Sequence, residues 1–335
     1  MLIRPVHELP APLRPTRHIE VVSVCDNVTD VLLADQGPAK RFRGRTGGGP
    51  TTPAPLLVGG VAAAPPLAQH GFSSLVRIEG DDRTWTILFD TGATPEGCVD
   101  NLDRLGIDPA TIDVVVLSHG HYDHVTGLSG LASVLGPKST PVVAHPNAFR
   151  SRRFPAGDDH RYLPTLDREA LEAAGFVVHC HEGPTLLADD RLLVTGEVER
   201  STPFEHGLPG QQALVEGTWQ ADATMSDDQA MVMDLEGEGL VMMTGCGHAG
   251  VINIANHCRR VVARDRVHVV MGGFHLGGRG FEHAIAPTID ALVDLSPDVV
   301  VPTHCTGWRA IASIADALPA AFIHNSVGTT YDLKA

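Results

Sequence analysis

Short apolar runs rich in β-branched residues recur along the chain, separated by polar turns and by longer stretches of helical periodicity. The pattern predicts strands over 19–24 (IEVVSV), 72–78 (FSSLVRI), 84–89 (TWTILF), 113–118 (DVVVLS), 141–144 (PVVA) and 176–180 (FVVHC). It predicts five more over 191–195, 229–234, 239–244 (GLVMMT), 267–271 (VHVVM) and 298–302 (DVVVP). Helices are expected over 96–105, 124–135, 167–174, 249–264, 284–294 and 307–318. Gly106 suits the end of the first, and Arg259, Arg260 and Arg264 suit the C-terminal turns of the fourth. The early strands read as hairpins, whereas the last third alternates strand and helix. That mixture implies sheets covered by helices, an α/β layered fold.

Residues 36–69 break the pattern with a loop dense in Gly, Pro and Ala. Within it Lys40, Arg41, Arg43 and Arg45 form a basic cluster, read as a solvated loop with an anion-attracting flap as the alternative. No repeat or composition shift divides the 335 residues, so one domain over 1–335 is expected. A formal charge of −15 argues against a nucleic-acid backbone as partner. No apolar run is long enough for a membrane span, and the proline-bearing start MLIRPVHELPAPLRP does not resemble a signal peptide, which points to the cytoplasm. Six cysteines without a C-x-x-C pair read as reduced thiols rather than staples. The partner expected is a small-molecule substrate.

The richest chemistry lies in Ser118-His119-Gly120-His121-Tyr122-Asp123-His124, directly after the strand DVVVLS. His119 and His121 are two apart, so in an extended loop both rings face one way and can share a metal. Asp123 and His124 diverge from them and can hold a second ion alongside. Imidazole and carboxylate donors suit zinc, with iron or manganese as alternatives. Three His and one Asp at these offsets arise by chance about 0.004 times in a chain of this composition, which disfavours a mere turn-capping role.

H-x-H-x-D-H after a buried strand resembles the metallo-β-lactamase-fold hydrolase superfamily, and Asp90-Thr91-Gly92 resembles its upstream D-T-G. Further segments, His70-Gly71-Phe72-Ser73, Thr244-Gly245-Cys246-Gly247-His248-Ala249-Gly250, Gly272-Gly273-Phe274-His275-Leu276 and Pro302-Thr303-His304-Cys305, resemble the branch of dihydropterin-ribofuranosylaminobenzene-phosphate synthase-like proteins. The resemblance implies a four-layer αββα sandwich holding one or two divalent transition-metal ions at its edge. It implies metal ligation by His119, His121, Asp123, His124 and the late His304, with Asp90 orienting a ligand histidine from behind. The third histidine expected for the first ion falls near Ser226-Asp227-Asp228, where there is none. Where a bridging aspartate would follow the strand GLVMMT, this chain has Cys246, and His248 is the candidate compensating ligand.

The implied activity is hydrolysis of an ester, lactone or phosphoester by a metal-bound water, with Asp123 and Asp90 as the catalytic carboxylates. A pterin-type synthase, an iron-dependent redox enzyme of the same fold and a non-catalytic metal-binding protein are the alternatives. His275 and His70 are expected to contact substrate. His179 and His181 read as positions on a half-buried strand, and Cys305 as a packing residue.

Overall fold

Alternation along the strands builds a core with two sides. In the computed structural model, which describes residues 3–44, 50–136 and 139–335, two large sheets face one another. One runs Phe176–Cys180, Thr140–Ala144, Val114–Val116, Thr84–Phe89, Ser73–Glu79, His18–Cys25, Thr330–Lys334 and Ala39–Lys40. The other runs Arg4–Pro5, Thr185–Leu187, Leu192–Val194, Met231–Leu235, Gly239–Thr244, Val267–Gly273 and Val299–Thr303. Ile19, Val21, Ile87, Phe89, Val114 and Val116 from the first meet Met231, Met233, Val241, Met243, Val269 and Val301 from the second in one buried cluster.

The intervening residues point the other way. Val22, Val24, Leu88, Val115 and Leu117 pack on Leu102, Leu128, Leu131 and Leu171, which belong to helices Gly97–Leu105, Leu128–Leu135 and Arg168–Ala173. Leu240, Met242, Val270 and Val300 pack on Ile254, Leu292 and Ile314 of helices Val251–Val262, Glu282–Leu295 and Trp308–Ala317. Each such side chain contributes about 1.5–3 kcal/mol of burial. Helix, sheet, sheet, helix is the αββα order.

All eleven predicted strands are present, within two residues of their expected ends. The helix expected over 124–135 is instead two, Tyr122–Val125 and Leu128–Leu135. A Cβ on Gly127, between them, would lie 2.0 Å from the carbonyl oxygen of Thr91, so the chain must turn there with its backbone against the D-T-G segment. Among the described residues ten strands were not expected, three of them (Ala39–Lys40, Thr51–Pro53 and Val61–Ala63) inside the segment read as a loop; four others, Arg152–Ala156, Asp159–Tyr162, Gln212–Val215 and Thr218–Ala221, form a small separate sheet. Their sequences, RRFPA, DHRY, QALV and TWQA, are too polar and too short to show a period of two.

The basic cluster is not a free cationic flap. Arg41 is buried, donating to the carbonyls of Ala34 and His324 and to the Thr329 hydroxyl. Lys40 and Arg43 stand 3.8 and 3.7 Å from Asp35, and Arg45 lies outside the described residues. Among the described residues no helix is long and apolar enough to cross a membrane, and the six cysteines are free thiols.

Candidate metal centre

Strands Thr84–Phe89 and Val114–Val116 run parallel, as do Gly239–Thr244, Val267–Gly273 and Val299–Thr303. Each set therefore delivers its following loops to one edge, the usual place for sites on open α/β sheets. Asp90, 118–124, 245–250, His275 and His304 leave the sheets there. Three of these residues hold left-handed backbone without being glycine: Asp90 at φ 58°, His275 at 42° and His304 at 46°. Such strain concentrates at functional positions. Gly245 lets the two central loops touch, since a Cβ there would fall 2.0 Å from the Ser118 hydroxyl.

Asp90, fully buried, wires the histidine loop from behind. It accepts from the Ser118 amide at 2.7 Å and from the Ser118 hydroxyl at 2.6 Å, and it pairs with His124 Nδ1 at 2.7 Å. The Ser118 oxygen in turn stands 2.8 Å from His119 Nδ1. With their Nδ1 positions engaged as donors, His119 and His124 each turn Nε2 forward. His121 has the opposite wiring: its Nε2 meets Gln211 Oε1 at 2.8 Å, leaving Nδ1.

Two donor groups result. Asp123, His124, Cys246 and His304 place one ligand atom each within 4.8 Å of one another, and so do His119, Cys246 and His248. In the first, His124 Nε2 lies 3.1 Å from Cys246 Sγ, and Asp123 Oδ2 lies 3.4 Å from His304 Nε2. Donors about 2.0–2.3 Å from a tetrahedral ion stand about 3.3–3.8 Å apart, so the spacing suits a transition metal. The His248 ring packs 4.9 Å from His119 and 5.0 Å from His121. No histidine stands at 226–228, and His248 is the histidine that the fold brings beside His119 and His121. Cys246 belongs to both groups.

The donor chemistry fits a cation. His119 Nε2, both nitrogens of His248 and His304, and Asp228 Oδ1 are buried with no hydrogen-bond partner. An unsatisfied buried polar atom costs about 1–3 kcal/mol, so the unpartnered imidazoles of His119, His248 and His304, which each offer one atom to the two donor groups, call for a ligand there. Burial and the neighbouring rings hold His119 and His248 well below the usual histidine range, and burial with Arg152 lowers His121 to about 4, so all three are neutral donors. Burial would raise Asp123, but His124 and His304 outweigh it and keep the carboxylate ionised. Burial, with Cys305 and Asp123 nearby, pushes the Cys246 thiol up, so a metal must displace its proton.

His124 carries a pH signature. Burial alone would lower it, but the Asp90 and Asp123 carboxylates win and raise it from 6.5 to about 9. Near neutral pH a metal must therefore displace a proton from it. Zinc affinity is expected to rise with pH up to about 9, with proton uptake by the buffer visible as a buffer-dependent heat in titration calorimetry. Affinity independent of pH would contradict this. In the metal-free protein the same pair stabilises the fold fully below pH 6.5, and that contribution is lost as pH rises through about 9.

A cavity of about 410 Å³ opens over the centre, walled by His70, Asp123, Cys246, His248, His275 and His304, with Phe154, Leu163 and Leu208 opposite. The His275 ring lies 4.1 Å from that of His248 at a tilt of 52°, and it shares a third possible donor group with Cys246 and Cys305. His70 is mostly exposed and places Nε2 3.7 Å from Asp123 Oδ2. Cys305, expected as a packing residue, is instead half-buried in the cavity wall, its thiol 3.3 Å from the Cys246 carbonyl. His179 and His181 are half-buried on and just after strand Phe176–Cys180, outside these groups.

Sequence reasoning missed a buried circuit behind His121. Gln211 donates to Asp222 at 3.1 Å, and Asp222 pairs with Arg152 at 2.9 Å. Arg152 pairs with Asp227 at 2.5 Å, and Asp227 accepts from the Gly120 amide at 3.0 Å. The circuit leaves the loop at His121 and returns one residue earlier. It ties the small sheet to the ligands. Asp228 accepts from the Ala249 amide at 2.8 Å and steadies the 245–250 loop; burial raises its carboxyl to about 6. The one sequence sign was the unusual Ser226-Asp227-Asp228 run just before a buried strand.

A fold with this sandwich and these loops defines a class. The metallo-β-lactamase superfamily profile matches residues 68–304, and the chain belongs to that superfamily. It is 31% identical over 253 residues to the 7,8-dihydropterin-6-methyl-4-(β-D-ribofuranosyl)-aminobenzene-5′-phosphate synthase of Methanocaldococcus jannaschii, covering 74% of this chain and 84% of that one. An uncharacterized protein of the same archaeon is 30% identical over 282 residues, covering 82% and 97%. Tm1679, described as a metal-dependent hydrolase of the β-lactamase superfamily, superposes with a TM-score of 0.68 over 95% of this chain and 100% of that one; at 23% identity this is a likeness of fold.

Proposed function

We propose that this chain is a metal-dependent hydrolase acting on an ester, lactone or phosphoester bond of a small molecule. The observation that carries the reading is the pair of donor groups sharing the Cys246 sulfur beneath a 410 Å³ cavity. Ligands would be His119, His248 and Cys246 for one ion, with His121, outside the 4.8 Å group, turning its free Nδ1 to complete it, and Asp123, His124, His304 and Cys246 for the other. Their mixture of imidazole, carboxylate and one thiolate favours zinc, with iron or manganese as alternatives. Divalent ions in such a site supply Lewis acidity and a lowered water pKa.

The chain's own residues do the rest. Asp123, which lines the cavity, would orient an attacking water, take its proton as the bond forms and pass it to the leaving oxygen as the scissile bond breaks. His275 and His70, on the walls, hold substrate oxygens. Asp90 fixes His124 and, through Ser118, His119. Because several donors line the cavity directly, the site is open in the manner of catalytic rather than purely structural metal sites. The charge of −15 argues against a nucleic-acid partner.

A second reading is favoured by one observation, the 31% identity to the archaeal synthase. The same centre would then activate a phosphate-bearing substrate for group transfer. The deciding experiment is a hydrolysis panel of phosphodiesters, phosphomonoesters, lactones and thioesters, run beside an assay for the product named for that relative. A His304→Ala variant is the control. Turnover of a panel member that this variant loses supports the hydrolase; product formation with no hydrolysis supports the synthase.

A further inference from the structure

The metal cavity does not end at His304. A second hollow of about 580 Å³ lies on the far side of that residue and shares Asn27, His304 and Gly307 with the first. One wall is a single face of helix Trp308–Ala317, presenting Trp308, Ile311, Ala312 and Ala315 at helical spacing. Val28 and Pro302 extend the apolar lining. Trp308 is 75% exposed, an unusual position for the largest apolar side chain. Asp26 anchors the floor: it accepts from the His304 amide at 2.8 Å and from Asn325 at 2.6 Å. Thr303 and His304, also lining this hollow, carry a hydroxyl and an Nδ1 that are buried without partners.

We propose that this hollow is the ring-binding half of the substrate site. It takes a flat, largely uncharged ring system attached to the group that reaches Asp123 and the metal donors. The inference rests on the reading of the metal centre as catalytic. Continuity argues for a substrate arm over a protein partner, because the two hollows meet at His304, itself a donor of the centre. Size agrees: small-molecule sites run about 300–1,000 Å³ and are mostly apolar with a few placed polar groups. The small side chains of Ala312 and Ala315 leave room for a ring, and Trp308 offers an aromatic face for stacking.

The test uses the metal-loaded protein with 2-naphthyl phosphate as the ring-bearing probe and methyl phosphate as the ringless one. Binding is followed by tryptophan fluorescence and calorimetry. Ala312→Trp fills the hollow from an exposed helix position, so the fold is retained. The expected result is 2-naphthyl phosphate binding at least about tenfold tighter than methyl phosphate in the parent. Ala312→Trp should remove that advantage while leaving methyl phosphate within about twofold. Trp308→Phe should abolish most of the fluorescence response.

Equal affinities for the two probes, no saturable binding of 2-naphthyl phosphate, or an Ala312→Trp variant that binds it as tightly as the parent would each overturn the proposal. So would a parent that is oligomeric in solution and a variant that is not, with probe binding unchanged, because the face would then be an interface between copies. Failure of the ester panel with selective ring binding retained sinks the hydrolase reading alone; hydrolysis retained without ring selectivity sinks this one alone.

Discussion

Cys246→Ala is expected to cost metal affinity at both positions, by more than about 100-fold. Loss of a partner behind a ligand already costs about 10–100-fold, and Cys246 is itself a candidate donor. Its sulfur is the atom common to the two donor groups, 3.1 Å from His124 Nε2 and within 4.8 Å of the His119 and His248 donors. Removing it leaves both groups one ligand short. Metal content after dialysis, read by mass spectrometry, should fall toward zero, and added zinc should no longer raise the melting temperature as tight binding requires. Cys246→Asp supplies a hard oxygen in place of sulfur and should restore binding with a shifted preference toward manganese. If both variants hold the original metal as tightly as the parent, the 245–250 loop is structural and the sulfur plays no part.

Asp90→Asn is expected to lower turnover about 10–100-fold while most of the metal stays bound. The carboxylate accepts from the Ser118 amide and hydroxyl and from His124 Nδ1, all within 2.7 Å. An amide has the same shape but one acceptor oxygen, so its NH₂ must face a donor. That conflict costs about 1–3 kcal/mol of stability and frees the His124 ring to tilt. The variant also loses the main influence that opposes burial at His124, so its pKa drops from about 9 and zinc uptake should lose much of its pH dependence. Full activity on a verified substrate, or an unchanged pH profile of zinc binding, would show that Asp90 does not act through His124.

Much of the candidate site was readable from residue spacing because its possible donors sit in short loops after strongly patterned strands. His119, His121, Asp123 and His124 come from one such loop, so local sequence placed them together. His248 was legible as a spare histidine but not as the partner of His119 and His121, since only the packing of loop 245–250 on Ser118 brings it there. The circuit of Gln211, Asp222, Arg152 and Asp227 was invisible. Arg152 opens a strand of the small sheet, Gln211 and Asp222 flank its other strands and Asp227 lies in the loop beyond, so no period links them, and buried polar residues look like exposed ones until their partners are known.

The sequence by itself determined the layers and the histidine loop. Near-continuous apolar strands have both faces buried and must be covered on each side by another layer, and a close-spaced donor cluster keeps its chemistry wherever the fold puts it. The tertiary structure alone decided that Cys246 stands between two donor groups, that Arg41 is buried rather than a free cation, and that Cys305 faces the cavity. These depend on contacts between segments far apart in the chain, including a gap of more than a hundred residues between His124 and Cys246. Such contacts are set by how the two sheets pack face to face, which no local pattern of residues encodes.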